Sequence, residues 1–146
     1  NAITCNYILF VMYVIIYIGF KLEKFDNKRL GKLNLNFKKK RTSGEYIILS
    51  EPSQHIKNFF NLNNWLDQTI DKIKKHSDRK IFVHNKFSPV PLDLLLEKAW
   101  AFVSFQSTAG FKAMLRGIPA HFTYKNLENI NTIEEIESGK INLKVI

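Results

Sequence analysis

From Gly44 onward, short apolar runs alternate with longer segments in which apolar residues recur at every third or fourth position. The short runs are rich in β-branched and aromatic residues, which favours buried strands, whereas the longer segments are typical of amphipathic helices. Strands that alternate with helices form parallel sheets covered by helices. We therefore predict an α/β domain over residues 44–146, with a Rossmann-like parallel sheet and helices on both faces.

The pattern predicts four strands and four helical segments in strict alternation. The strands are predicted at Tyr46–Leu49, Lys80–His84, Trp100–Phe105 and Ile118–Tyr124. The helices are predicted at Trp65–His76, Leu92–Lys98, Ser107–Arg116 and Ile133–Glu137. Asn64 is expected to cap the first helix, with Asp67 in a capping-box-like position. Pro91 suits the start of the second helix, and Gly117 suits a left-handed residue at the end of the third.

Residues 1–20 form a separate apolar segment, in which Tyr7–Phe20 contains no charged residue. Fourteen residues fall short of the ~20 that a spanning helix needs. The composition also suits a buried strand, and a signal peptide would normally begin with a basic region. A buried strand, a membrane segment and a signal-like segment all remain open. If the segment spans a membrane, the basic residues that follow it place the rest of the chain in the cytoplasm.

Residues 21–43 carry most of the positive charge of the chain. Lys21–Arg41 contains nine basic and two acidic residues, whereas the chain from Thr42 onward contains thirteen basic and eleven acidic residues. Such a segment indicates a solvated linker, an arm that contacts anionic lipid, or a nucleic-acid contact. Since the sequence has no nucleic-acid-binding motif with the right spacing, we expect no nucleic-acid partner. We expect Lys38–Arg41 to be exposed and to bind an anionic membrane surface.

Cysteine and histidine content excludes several kinds of site. The single cysteine, Cys5, excludes an intrachain disulfide and a cysteine-based zinc site. The four histidines have no metal-ligand spacing. We therefore expect neither a metal nor a cofactor, and a cytoplasmic location fits this composition, with membrane association as an alternative.

The loops that follow the strands are the natural place for a ligand, because open parallel sheets bind ligands beyond the carboxyl ends of their strands. The most informative of these loops contains Gln106, Ser107, Thr108 and Ala109, which lie directly between a strand and a helix. Free N–H groups and the positive end of the helix dipole favour a phosphate there. The alternative is an ordinary Ser/Thr cap on a helix with a small-residue packing face.

The stretch Val103–Phe122 (VSFQSTAGFKAMLRGIPAHF) resembles the strand–Ser/Thr–helix–GIP signature of GT-B-type glycosyltransferases and nucleotide-sugar epimerases. The preceding WLDQTIDKIKKHSDRKIFVHNK and PLDLLLEKAWA resemble members of capsule-polysaccharide biosynthesis. The resemblance covers about Gly44 to Tyr124. It implies the C-terminal, donor-binding half of a GT-B fold, in which the nucleotide-sugar donor is bound and the other half binds the acceptor.

The resemblance also implies roles for particular residues. The helix after the Ser/Thr pair usually carries an acidic residue that bonds the ribose hydroxyls, but here the corresponding position is Lys112. A cation cannot accept those hydrogen bonds, so either the donor differs, or Lys112 contacts a phosphate, or activity has been lost. His84 lies where family members tend to have a basic residue that faces a phosphate, and the alternative is a strand-end histidine. Glu51 is a further candidate contact.

The expected function is therefore nucleotide-sugar binding in a glycosyltransferase (hexosyl or other glycosyl transfer) of polysaccharide biosynthesis. The alternatives are a nucleotide-sugar 2-epimerase-like domain and a degenerate, non-catalytic, membrane-associated module. A complete two-domain transferase needs about twice this length, so we expect a fragment or a half-enzyme that depends on an acceptor domain. No catalytic residue can be named, and the sequence leaves the sugar, the base, the acceptor and the oligomeric state open.

Overall fold

A computed structural model of the chain describes residues 38–125 and 131–139. The apolar segment Tyr7–Phe20 and most of the basic segment lie outside the described residues, so the predictions made for them stay predictions. Within the described ranges, no helix is both long enough and apolar enough to cross a membrane.

The described residues form four strands and five helices in the order β1-α1-α2-β2-α3-β3-α4-β4-α5. The strands are β1 (Tyr46–Ser50), β2 (Lys80–His84), β3 (Ala99–Ser104) and β4 (Ala120–Phe122). The helices are α1 (Gln54–Phe59), α2 (Trp65–Lys74), α3 (Leu92–Leu96), α4 (Thr108–Leu115) and α5 (Ile133–Ser138).

All four strands are parallel, and their order across the sheet is β2-β1-β3-β4. The last residues of three neighbouring strands are in register, because Ser50 pairs with both His84 and Ser104. The strand ends therefore form a straight row at the carboxyl edge of the sheet. The predicted fold class, a Rossmann-like parallel sheet with helices, is confirmed.

One face of the sheet packs against α2 and α5. Ile47, Leu49, Ala101 and Val103 alternate along the two central strands and point to this side. They pack with the buried side chains of Trp65, Ile73, Ile133 and Ile136 from the helices. The side chain of Trp65 is only 6% exposed, so it belongs to the core.

The opposite face packs against α3 and α4. Ile48 and Phe102 are completely buried there. Phe111 of α4 stacks on Phe122 of β4, with ring centroids 5.1 Å apart. The hydroxyl of Tyr46 donates a hydrogen bond of 2.9 Å to the carbonyl of Leu95 at the end of α3. Helices thus cover both faces, as the alternation of apolar runs predicts.

The element bounds differ from the prediction in a few places. Helix α1 was not predicted, and it begins because the hydroxyl of Ser53 accepts a hydrogen bond from the amide of Ile56 at 3.5 Å. Asn64 does precede α2, but its side chain makes no capping hydrogen bond, so that part of the prediction is wrong. The full capping box lies instead at α5, where Thr132 and Glu135 bond reciprocally.

Residues Lys38–Arg41 form a strap across the end of α4, at the amino edge of the sheet. The amide of Lys38 donates to the carbonyl of Leu115 at 3.0 Å, and the amide of Arg41 donates to the carbonyl of Gly117 at 2.8 Å. Gly117 has a φ of 77°, and a Cβ there would collide with the carbonyl of Lys39. The predicted left-handed glycine is confirmed, and it has a second purpose, which is to admit the strap.

The expectation that all four strap residues are exposed is wrong for the last two. Lys38 and Lys39 are exposed, whereas Lys40 and Arg41 are half-buried. The guanidinium of Arg41 donates to the carbonyls of Leu96 and Ala99, both at 2.9 Å. Arg41 thereby satisfies carbonyls between α3 and β3, which helix ends and strand starts otherwise leave open.

Candidate functional site

The strand order places a topological switch point between β1 and β3. The chain leaves β1 for β2 on one side of it and returns to β3 on the other side. Doubly wound sheets open a crevice at such a point, outside the carboxyl ends of the strands, and ligands bind in it. The loop after Ser50 and the loop after Ser104 flank this position, because these two residues are direct partners in the sheet.

The second of these loops opens α4 as the sequence predicts. Ser107 is the N-cap residue, and its hydroxyl accepts a hydrogen bond from the amide of Ala109 at 3.2 Å. The amide of Ser107 in turn donates to the hydroxyl of Ser104 at 3.4 Å. Gln106, Ser107, Thr108 and Ala109 are all half-buried. The arrangement is a helix N-terminus with the positive end of its dipole at the switch point.

Gly110 has a packing role in this junction. A Cβ at this position would lie 2.5 Å from the ring of Phe122. The absence of a side chain therefore lets the first turn of α4 lie directly on the sheet. Gly110 therefore belongs to a small-residue packing face of α4, as the alternative interpretation of this loop expects.

Glu51, in the first loop, is the centre of a small polar network. Its carboxylate pairs with the ammonium of Lys57 from α1, and it accepts a hydrogen bond of 3.1 Å from the side-chain amide of Asn85. Its side chain is 18% exposed. The hydrogen bond from Lys57 holds the pKa of Glu51 below its ordinary value, helped by Asn85 and opposed by burial. A carboxylate that is partly buried yet ionised is thus fixed at the carboxyl edge.

His84 lies beside this network, but its imidazole contacts a carbonyl of its own loop and none of the side chains in the network. The amide of Glu51 donates to the His84 carbonyl at 2.8 Å, which continues the pairing of β1 with β2. The imidazole Nε2 lies 3.2 Å from the carbonyl of Val90. This geometry matches the alternative of a strand-end histidine that ties down its own loop.

Lys112 does not lie free in front of the strand ends. Its ammonium pairs with the carboxylate of Asp93 at 2.8 Å, and Arg116 pairs with the same carboxylate. Asp93 lies in the first turn of α3, so the two cations tie α4 to α3. The hydrogen bond from Lys112, together with the charge of Arg116, holds the pKa of Asp93 below its ordinary value. The Lys112 side chain is 48% exposed, so the pair is solvated.

An aromatic cluster closes the same edge above α2. Phe60, Phe105 and Tyr124 meet edge to face, with ring centroids 5.1–5.7 Å apart. Next to them, the indole N–H of Trp65 donates to the hydroxyl of Thr123 at 2.7 Å. The cluster fixes the loops after β3 and β4 against α1 and α2.

The structure therefore brings the predicted residues together only in part. Glu51 and His84 are adjacent, and Gln106, Ser107, Thr108 and Ala109 share one turn. Lys57 and Asn85, which bind Glu51, were not predicted from the sequence. Neither could be found from spacing, since α1 was not predicted and the loop after β2 has no regular pattern. A lysine six residues after a strand-end glutamate was the single available signal, and it is a weak one.

The chemistry available at this edge is binding and orientation. Backbone N–H groups and a helix dipole suit a phosphate, and the Glu51 carboxylate suits hydroxyl donors. Among the described residues, no three His, Cys, Asp or Glu side chains lie close enough to hold a metal ion. The Glu51 carboxylate is held ionised by Lys57, which makes it a poor proton donor near neutral pH.

Comparison with known proteins returns no match. No protein-family model, no curated protein and no solved structure is significantly similar to the chain. The fold assignment therefore rests on the strand order, the parallel register and the two covered faces of the sheet.

Proposed function

We propose that the chain binds a nucleotide-sugar donor at the carboxyl edge of its sheet, as the donor-binding domain of a glycosyltransferase in polysaccharide biosynthesis. One observation carries the proposal: α4 begins at the switch point between β1 and β3, behind the Ser107 cap. Doubly wound sheets bind phosphorylated ligands at this position. The resemblance of Val103–Phe122 to GT-B transferases supports a nucleotide sugar among such ligands.

In this proposal the phosphate rests on the first turn of α4. The amide of Ala109 now donates to the Ser107 hydroxyl, and a phosphate oxygen would take over that bond. Lys57 is a cation at the same edge of the sheet, where it is now paired with Glu51. Lys112 has no direct part, since it lies in the last turn of α4 and not in the first. Because position 112 carries a lysine and not an acidic residue, the ribose is then bound elsewhere or not at all.

A substitution of the cap residue tests the phosphate site without removing the cap. Aspartate caps helices as well as serine does, so Ser107→Asp should leave the free energy of unfolding nearly unchanged. It also places a negative charge where the phosphate would rest. Calorimetric titration of the full chain with UDP, CMP and GDP should show binding by one of them, and Ser107→Asp should weaken that binding at least about tenfold.

Thr132→Asp is the matched control, because Thr132 caps α5 with the same kind of side-chain bond. It adds the same charge at another helix N-terminus and should leave nucleotide affinity unchanged. Equal loss in both variants, or full binding in Ser107→Asp, would contradict a phosphate at α4.

A non-catalytic module is the second candidate, and specific observations favour it. The Ser107 hydroxyl is engaged by Ala109, and Lys112 is engaged by Asp93, so both already have partners within the protein. If no nucleotide binds to the folded wild-type chain, and Lys112→Glu is equally silent, the non-catalytic module is the better description.

A further inference from the structure

Exposed lysines gather at the amino edge of the sheet, opposite the candidate site. We call them the basic rim, and it consists of Lys38, Lys39, Lys74, Lys75 and Lys80. All five are exposed. None of them forms an ion pair with another described residue. The rim therefore presents five unpaired cations to the solvent, against the two exposed carboxylates of Asp71 and Asp78 in the same stretch of the sequence.

Two distant parts of the chain form the rim, and the fold brings both to one edge. Lys38 and Lys39 belong to the strap, whose backbone is bonded to the end of α4. Lys74 and Lys75 lie at the end of α2, a few residues before β2 begins at Lys80. Arg79 fixes this second part, because its guanidinium donates to the carbonyl of Gly44, just before β1, at 2.7 Å.

Two acidic residues near the rim, Glu45 and Glu137, lie beside other cations, whereas Asp71 and Asp78 are exposed and form no ion pair with a described residue. Glu45 pairs with Lys98 at 3.3 Å, and Glu137 lies 3.5 Å from Arg79. Arg41 and Lys40 donate to backbone carbonyls and so hold the strap in place. The cations that fix the strap are thus distinct from the cations that face the solvent.

We propose that the basic rim docks the protein on an anionic lipid surface. Clustered lysines near such a surface contribute additively to binding, through attraction to the lipid headgroups. The uncharged run Tyr7–Phe20, which precedes the strap in the sequence, suits a partner with an apolar interior. Docking through the amino edge turns the carboxyl edge, one strand length or roughly 17 Å away, toward the solvent.

The positions of the exposed aromatic residues favour lipid over single-stranded nucleic acid as the partner of the rim. Single strands are bound by exposed aromatic rings interleaved with cations. The most exposed aromatic side chains among the described residues are Phe59, at 72%, and Phe87, at 81%, and both lie toward the carboxyl edge. On the rim side, Trp100 is covered by the guanidinium of Arg79, which lies 4.3 Å from the ring centroid.

Vesicle co-sedimentation of the full chain tests the proposal. The vesicles are pure phosphatidylcholine in one arm and an equimolar mixture of phosphatidylcholine and phosphatidylserine in the other. The measured quantity is the ratio of the affinities for the mixed vesicles and for the pure phosphatidylcholine vesicles. This ratio cancels any binding that comes from apolar residues alone. Lys74→Ser with Lys75→Ser should reduce it more than tenfold, at about fivefold per lysine, and added salt should reduce it further.

Lys86→Ser with Lys125→Ser is the matched control. Both lysines are exposed and follow strands β2 and β4, so this variant removes the same charge from the opposite edge. It should keep nearly the wild-type affinity. Unfolding curves for both double variants must match the wild type, because exposed lysines carry little of the stability.

Three results would overturn the proposal. The first is an equal loss of affinity in both double variants, which would show attraction by net charge alone. The second is the absence of any dependence on phosphatidylserine. The third is tighter binding to duplex or single-stranded RNA than to the vesicles, with the same loss in Lys74→Ser/Lys75→Ser, which would assign the rim to nucleic acid.

Discussion

The two edges of the sheet use their polar side chains in different ways. At the amino edge, Arg41 and Arg79 donate to backbone carbonyls. At the carboxyl edge, Glu51 pairs with Lys57, and Asp93 pairs with Lys112. A cation that satisfies carbonyls of the fold cannot leave without exposing them, whereas a side-chain ion pair can exchange one partner for a ligand group. Ion pairs also occur at the amino edge, where Glu45 pairs with Lys98, so stability is assigned there to the contacts of Arg41 and Arg79 alone. The exchangeable contacts of the carboxyl edge are its side-chain ion pairs.

The largest effect is expected at Gly117, where the strap crosses α4. A left-handed φ costs a non-glycine residue about 1–2 kcal/mol, and the collision with the Lys39 carbonyl adds to it. We expect Gly117→Ala to lower the free energy of unfolding by roughly 3 kcal/mol or more in urea titrations. Gly139→Ala is the control, since Gly139 has a φ of 71° with no atom within 4 Å of the added Cβ. Equal losses in the two variants would show that the contact with the strap adds nothing to the cost of Gly117→Ala.

The next effect is expected at Arg41. Arg41→Met keeps much of the apolar length of the side chain but removes the hydrogen bonds to the Leu96 and Ala99 carbonyls. Hydrogen bonds from a charged group contribute about 1.5–3 kcal/mol, so a loss of about 2 kcal/mol is expected in the free energy of unfolding. Lys39→Met, at an exposed position of the same strap, should change it by less than about 0.5 kcal/mol. If Arg41→Met left the free energy of unfolding unchanged, the hydrogen bonds from Arg41 to the two carbonyls would not stabilise the fold.

At the carboxyl edge, Glu51→Gln should have a moderate, pH-dependent effect. The pKa of Glu51 is lower in the folded than in the unfolded protein, so its contribution is present above the unfolded value and is lost as the pH falls through the folded value. We expect a loss of about 1 kcal/mol at neutral pH that disappears in acid. Urea titrations of both proteins across the acid range measure this difference. A constant difference at all pH values would mean that the charge of Glu51 is not stabilised by Lys57.

The smallest effect is expected at Lys112. Its pair with Asp93 is solvated on both sides, with side chains 48% and 54% exposed. Arg116 remains beside Asp93 when Lys112 is replaced. Lys112→Met should therefore leave the urea midpoint nearly unchanged, and the small remaining difference should vanish at high salt. A marked loss of stability would show that the Lys112–Asp93 pair supports the fold, as the contacts of Arg41 do at the amino edge.

The regular elements were largely predictable, and the polar networks were not. The bounds of β2 match the prediction, because a β-branched and aromatic run between polar turns admits few alternatives. Helix α1 was missed because it has only six residues and no buried side chain, so it leaves no periodic signal. The capping of α4 by Ser107 could be predicted, since it depends on a bond within three residues.

The sequence by itself determined the parallel α/β architecture, the two covered faces and the helix that follows the Ser107 cap. These features depend on local propensity and on the spacing of apolar residues, which are properties of short segments. Only the tertiary structure decided which cations are engaged. Lys112 meets Asp93 across nineteen residues, and Arg41 meets the Ala99 carbonyl across fifty-eight. Such partners are chosen by how the helices pack on the sheet, so no segment contains the information alone.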